Sequence, residues 1–242
     1  MYKTSLGIDI GTYQLKMFLY DGEKCQKIFT LPMSENIIKN DKIKSSEQIS
    51  ESIKKIVCEN KIKTKKCRIV LPESLVFVRQ TNVPYMTIDN LKQNLPYEFR
   101  DFITAEKDKY FYDYIVLDTI KDESGTNKSI DIMAAAVLKS TINEYTQIMK
   151  RADLKLEVAL PEEFAYRNVI CDYELRNFLK KDDNFKLPQK KKLNEYCFID
   201  LGHFATRLFI FVGSKSAATH VISYGGSIID DAISDLCGVD AK

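Results

Sequence analysis

A chain of 242 residues with 45% hydrophobic residues, 9 Gly and 6 Pro has the composition of an ordinary folded protein, long enough to bury a core in one large domain or two small ones. Its 36 basic and 34 acidic residues leave a net charge of +2, which argues against nucleic acid as the main ligand, because a phosphate backbone calls for a clear basic surplus. Six cysteines, at positions 25, 58, 67, 171, 197 and 237, include no Cys-x-x-Cys pair, the usage of a reducing compartment and neither a disulfide framework nor a zinc site.

The first residues enter a strand directly, with no charged leader followed by a long apolar region, so a cytoplasmic protein is expected. The longest apolar run, residues 132–138, is too short to span a bilayer, and any service to a membrane is expected to pass through a partner. Residues 5–10 are nearly continuous apolar sequence, as in a central strand. Residues 15–20 and 27–31 read as two further strands joined at Asp21-Gly22, a hairpin signal. A meander therefore follows the first glycine turn, where a dinucleotide-binding fold would place a helix.

Ile49, Ile53, Ile56 and Val57 recur at helical spacing behind a capping box over residues 45–48. Residues 67–71 and 75–78 read as strands, the second completing a five-strand α/β half. From about residue 81 the character changes. Thr87 opens a short helix with Leu91 and Leu95 on one face, and Pro96 is expected to restart it as a second piece through Phe102. Tyr110, Tyr112, Tyr114 and Val116 alternate on a strand with an aromatic face, residues 129–138 form another strand, and residues 141–152 a helix with Ile142, Tyr145 and Met149 on its buried stripe. An aromatic face of this kind is more often core than ligand surface.

A strand over residues 154–160 and a helix over 162–179 return to the first half. The charged stretch 180–194, with Lys180, Lys181, Lys190, Lys191 and Lys192, reads as a solvated linker. A second meander follows over residues 196–201, 205–212 and 217–223, and Gly225-Gly226 leads into a helix carrying Ile228, Ile229, Ala232, Ile233 and Leu236. The two meanders share a turn: Asp9-Ile10-Gly11-Thr12 in the first, Asp200-Leu201-Gly202-His203 in the second. A carboxylate at a strand end can hold a hydrated divalent metal, and the adjacent Gly lets backbone approach a phosphate without a Cβ in the way. One such turn is common punctuation; the matched pair points to a two-sided phosphate and metal site.

These residues resemble the actin, Hsp70 and sugar-kinase ATPase superfamily. Asp9-Ile10-Gly11-Thr12 with Lys16 looks like its first phosphate loop, and Asp200-Leu201-Gly202 with Thr206 like its second. Leu160-Pro161-Glu162-Glu163-Phe164-Ala165 resembles the connecting helix, where many members carry a water-polarising acid. The closer likeness is to the PilM-type family of type IV pilus assembly, carried by Val76-Phe77-Val78-Arg79, Val83-Pro84, Tyr97-Glu98, Met133-Ala134-Ala135-Ala136-Val137 and Tyr224-Gly225-Gly226. FtsA, with the same kind of inserted subdomain, is the nearest confusable relative.

The resemblance implies an α/β, ribonuclease-H-like actin fold. Subdomain 1A would take residues 1–80 and 154–180, an inserted α+β 1C unit 81–153, a linker 181–194, and the start of lobe 2A 195–242. It implies nucleotide contacts from Asp9, Gly11, Thr12, Lys16, Asp200, Gly202 and Thr206, and Mg2+ held through water by Asp9 and Asp200. Glu162 is the implied water-positioning residue, with Glu163 as its alternative and a helix N-terminal carboxylate as the plain structural reading. The implied role is a scaffold on the inner face of the membrane that binds ATP and takes the cytoplasmic tail of a PilN-like inner-membrane protein in a 1A/1C groove, with Phe102, Tyr112 and Tyr114 as groove residues. The alternatives are an FtsA-like division filament protein and a small-molecule kinase. Tyr13 and Gln14, like His203 and Phe204, stand where the family has small or hydroxylated residues, so at most a weak ATPase is expected. The sequence ends at Lys242 before the 2B subdomain and the Gly-rich adenosine turn, so an incomplete second lobe and weak ATP binding are expected of the chain as it stands.

Overall fold

The computed structural model describes residues 4–34, 36–39, 42–103, 106–180 and 193–239. The chain forms two compact units, Met1–Glu162 and Glu163–Lys242. Most of the linker expected over residues 181–194 lies outside the described residues.

In the first unit, β1 (Ser5–Ile10), β2 (Gln14–Tyr20) and β3 (Cys25–Pro32) form the expected antiparallel meander. A two-stranded ribbon of β4 (Ile38–Lys39) and β5 (Lys42–Ile43), too short to leave a periodic signature in sequence, precedes α1 (Ser46–Glu59). Parallel to β1 runs β6 (Lys66–Leu71). The strand expected to complete this half at residues 75–78 does something else. After a short 3-10 turn it becomes β7 (Val76–Pro84), the first strand of a second sheet. That sheet is built with α2 (Ile88–Glu98), β8 (Tyr110–Lys121) and β9 (Asn127–Leu138), in the strand order β7-β9-β8. Then come α3 (Lys139–Arg151) and β10 (Lys155–Pro161), and β10 is the fifth strand of the first sheet, ordered β10-β6-β1-β2-β3.

Alternation decides what each strand buries. Leu6, Ile8, Leu15, Met17, Cys67, Ile69 and Leu71 point to one face of the five-stranded sheet and pack on Ile49, Ile53, Ile56 and Val57 of α1. Tyr145, Ile148 and Met149 of α3 join the same cluster, so this helix completes the core of the first sheet. Each buried aliphatic of this kind contributes about 1.5–3 kcal/mol. Burial also pushes the Cys67 thiol from 9.0 up to about 12.

The central strand β9 is buried on both faces. Ile130, Ile132, Ala134 and Ala136 meet Leu91, Leu95 and Phe99 beneath α2, while Ala135 and Val137 pack toward the first core. Two expectations fail here for local reasons. Proline 96 does not restart α2, because its fixed φ suits a helix and the buried Leu95 and Phe99 hold the last turn in place. Ser45 forms no capping box: its ψ of 86° departs from the fully extended N-cap backbone, and its side chain makes no cap bond. Thr87, at ψ 155°, does cap α2, accepting from the amide of Asn90 at 3.3 Å.

The second unit begins within α4 (Glu162–Lys180). It continues with β11 (Glu195–Leu201), β12 (Thr206–Val212) and β13 (Lys215–Ile222), an antiparallel meander, and ends in α5 (Gly226–Cys237). Its core is small and aromatic. Tyr166 of α4 lies 4.6 Å from Phe209 and 4.8 Å from Phe198, ring to ring, over the buried Ile170 and Phe211. The apolar stripe of α5 is not buried: Ile228, Ile229, Ile233 and Leu236 are all exposed, Leu236 to 86%. Among the described residues no helix is long and apolar enough to cross a membrane.

Candidate functional site

The Asp9-Ile10-Gly11 turn of the first unit and the Asp200-Leu201-Gly202 turn of the second are built alike. In the first, Asp9 stands opposite Lys16 in the β1–β2 register, and the turn closes through the Gly11 amide donating to the Gln14 carbonyl at 3.2 Å. In the second, Asp200 stands opposite Arg207 in the β11–β12 register, and the Gly202 amide donates to the Ala205 carbonyl at 3.0 Å. The closure explains the glycines. A Cβ on Gly11 would meet the Gln14 carbonyl oxygen at 2.8 Å, and one on Gly202 the Ala205 oxygen at 2.6 Å, both closer than real Cβ contacts.

Each carboxylate has a cation at nearly the same distance. Lys16 Nζ lies 3.6 Å from Asp9 and Arg207 Nη1 lies 3.7 Å from Asp200. Lys16 and Asp9 are both half-exposed, whereas the Arg207 side chain is only 18% exposed. Arg207 escaped the sequence reading, although a signal was present: it follows Asp200 by seven residues, as Lys16 follows Asp9. Thr206, the residue singled out instead, donates its hydroxyl to the Tyr224 carbonyl at 2.8 Å and ties the strand to the entrance of α5.

Each turn is also held from outside: the Met33 amide donates to the Tyr13 carbonyl of the first at 2.8 Å, and the start of α5 supports the second. The amides of Gly226 and Ser227, opening α5, donate to the carbonyls of Gly202 and His203 at 3.0 and 2.9 Å. That approach needs Gly225, whose Cβ would sit 2.4 Å from the His203 oxygen and 2.5 Å from the Gly202 oxygen. Tyr13 and Phe204 are exposed, so neither bulky side chain fills its own turn. In each turn taken by itself, a half-exposed carboxylate with a cation beside it and a backbone without a Cβ in the way suits a hydrated metal and phosphate, with the Thr12 hydroxyl and Lys16 as donors in the first and Arg207 in the second. Glycine amides spent on closing the turns are not among those donors. Glu162 opens α4, half-buried, where the helix macrodipole favours a carboxylate; Glu163 beside it is half-buried too.

The three candidate partner residues fall in two settings. Tyr112 and Tyr114 face α2 and are half-buried against the insert core, Tyr112 with its ring 5.8 Å from Phe99 and its hydroxyl on the Lys107 carbonyl at 3.1 Å. Burial, with Tyr110 and Asp108 nearby, pushes the Tyr112 phenol up from its ordinary value. Phe102 is 54% exposed and stacks on Phe77 of β7 at 5.9 Å, making an open aromatic pair where the second sheet leaves the first. Arg79 holds the turn that carries Phe102, donating to the Glu98 carbonyl at 2.7 Å and to Asp101 at 3.1 Å. Phe77 is the groove candidate that sequence reasoning missed, since an apolar residue in a strand reads as core.

The sequence matches the family described as type IV pilus assembly protein PilM over residues 7–242. No curated protein matches it. Among solved structures, it is similar to the PilM-PilN type IV pilus biogenesis complex, at 18% identity and a TM-score of 0.78, covering 100% of this chain and 68% of that one. It is also similar to the cytoplasmic domain of EpsL, an inner membrane component of the type II secretion system of Vibrio cholerae, at 11% identity and a TM-score of 0.52 over 98% of this chain and 76% of that one. A third likeness is to the ethanolamine utilization protein EutJ from Carboxydothermus hydrogenoformans, at 9% identity and a TM-score of 0.53 over 99% of this chain and 59% of that one. These likenesses show the fold, the α/β architecture of the actin-like ATPases.

Proposed function

The chain belongs to the PilM family of type IV pilus assembly proteins, and from that premise we propose that it is a cytoplasmic scaffold holding the tail of a PilN-like inner-membrane protein. The observation that carries this reading is the family match along residues 7–242 together with an exposed aromatic pair, Phe77 and Phe102, on the first unit. Aromatic side chains exposed beside a sheet edge suit an extended apolar peptide, whose side chains fill the gaps between rings. Tyr112 and Tyr114 then act from beneath, fixing the insert's shape.

On the same reading the Asp-Gly turns serve magnesium-bound ATP. In the first turn Asp9 suits a hydrated ion and Thr12 and Lys16 suit phosphate, and in the second Asp200 and Arg207 offer the same pair of functions, with Gly11 and Gly202 keeping each backbone clear. The bound nucleotide supplies ordering of the turns; Glu162 offers at most slow hydrolysis. Isothermal calorimetry with MgATP tests this part, and Asp9→Ala or Asp200→Ala is expected to abolish whatever heat of binding the parent chain shows. Capture on an immobilised PilN-like tail peptide tests the scaffold. Phe77→Ala and Phe102→Ala are each expected to weaken retention about tenfold, the scale of an interface aromatic, and unchanged retention by both would remove the assignment.

A further inference from the structure

One end of the five-stranded sheet gathers lysines from three separate stretches of chain. Because β6 and β10 run parallel to β1 and β2 runs back against it, the starts of β1, β6 and β10 and the β2–β3 turn all lie at that end. The turn and the start of β3 bring Lys24 and Lys27, the connection from α1 to β6 brings Lys61, Lys63 and Lys65, and the start of β10 brings Lys155; all six are exposed. Cross-links fix the three stretches to one another. Lys27 Nζ donates to Asn60 Oδ1 at 2.8 Å, the Thr64 hydroxyl to the Thr4 carbonyl at 2.8 Å, and the Lys155 amide to the Lys65 carbonyl at 2.6 Å.

The acids of this end are already engaged. Glu157 pairs with Lys66, Glu59 with Lys55 and Asp153 with Lys54, while Asp21 accepts from the amides of Glu23 and Lys24 and from Gln26. Of these stretches only the exposed Glu23 is left as an acid with no such engagement among the described residues, against six lysines with no ion pair there. In a chain whose net charge is +2, six lysines against the two carboxylates of Asp21 and Glu23 leave a surplus of positive charge on one edge, a concentrated field. Lysines on an edge strand discourage strand pairing, which accounts for Lys27 on β3 and Lys155 on β10 but not for those of the α1–β6 connection.

The composition of the patch selects its partner. The exposed cations here are six lysines and one arginine, Arg68 of β6, so a single planar fork is present where reading carboxylates, phosphopeptides or nucleic acids bidentately would use several; point charges on flexible stems suit a diffuse anionic surface. Two apolar groups flank it, Ile28 at 60% and Tyr20 at 37% exposure, of the size that settles among lipid headgroups. We propose that this end of the first unit docks on the anionic phospholipid headgroups of a bilayer. It lies opposite the end at which β6 leads toward β7, so the Phe77–Phe102 pair remains a separate surface.

Co-sedimentation of the full chain with vesicles tests the assignment. Vesicles of phosphatidylglycerol and phosphatidylethanolamine are expected to carry the protein down, and vesicles of phosphatidylcholine alone to leave it in solution. Raised salt should release it. The variant K61E/K63E/K65E is expected to lower partitioning on the order of a hundredfold, from roughly a factor of five per lysine near a charged surface. K24E/K27E/K155E, drawn from the other two stretches, should do the same, while K92E/K121E/K128E on the insert changes the net charge equally and should keep binding. Equal sedimentation with both vesicle types, no sedimentation of the parent chain, retention by both patch variants, or equal loss in the insert variant would each overturn the proposal. So would a preference for a DNA duplex competing the vesicles away. Tail-peptide capture by the patch variants should be unchanged, which separates failure here from failure of the scaffold assignment.

Discussion

Gly225 and Gly226 are neighbours in sequence with opposite tolerance for a methyl group. A Cβ at Gly225 would collide with two backbone oxygens, whereas at Gly226 its nearest contact is an ordinary 3.9 Å to the Gly202 oxygen. Gly225→Ala is therefore expected to destabilise the second unit by about 1–3 kcal/mol, the usual range for forced overpacking. Gly226→Ala, inside α5, should be neutral or stabilising by roughly 0.5–1 kcal/mol. Urea midpoints of the two variants check the contrast. At this scale the sequence was legible where chemistry repeats. The two Asp-x-Gly turns could be matched because strand, acid and glycine recur in the same order, and the Arg207 beside Asp200 was within reach of the same comparison. The exposure of Phe77 and the close backbone approach at Gly225 were not legible, because both depend on which segments meet.

Helix starts show the same division between pattern and placement. Ser45 and Thr87 both precede an apolar helical stripe and both look like caps, yet only Thr87 accepts a first-turn amide. Thr87→Ala should cost about 1 kcal/mol, within the range for a lost N-cap, and Ser45→Ala distinctly less. Thermal melts of the two variants against the parent decide it. The meanders, α1, α4 and the strands of the insert were readable because period and punctuation are local properties. Two placements were not readable. β7 starts a new sheet and β10 completes the old one, since which sheet a short β-branched run joins is fixed by its partners. α3 has the stripe expected of it but buries Tyr145, Ile148 and Met149 in the core of the first sheet, which no periodicity can announce.

At the scale of the whole molecule, the two units hold themselves together differently. The first has two connected aliphatic cores roofed by α1, α2 and α3, and the second has a few stacked rings around Phe209 and Phe211. Family membership and the actin-like fold could be named from short ordered motifs, because those motifs sit at turns whose geometry allows few residues. The lysine end could not be named, for its members are spread from residue 24 to residue 155 and meet only through strand order. The construction of α5 has a mechanical consequence. No side chain of this helix is buried, and it is tied to its unit near its start: the amides of Gly226 and Ser227 sit on the carbonyls of Gly202 and His203, and Asp230 lies 3.9 Å from the His203 ring nitrogen. It is a lever whose fulcrum is the second Asp-Gly turn. Twelve residues give it an arm of about 18 Å, so a tilt too small to notice at Gly202 swings Leu236 by several times as much and re-aims the stripe of Ile229, Ile233 and Leu236.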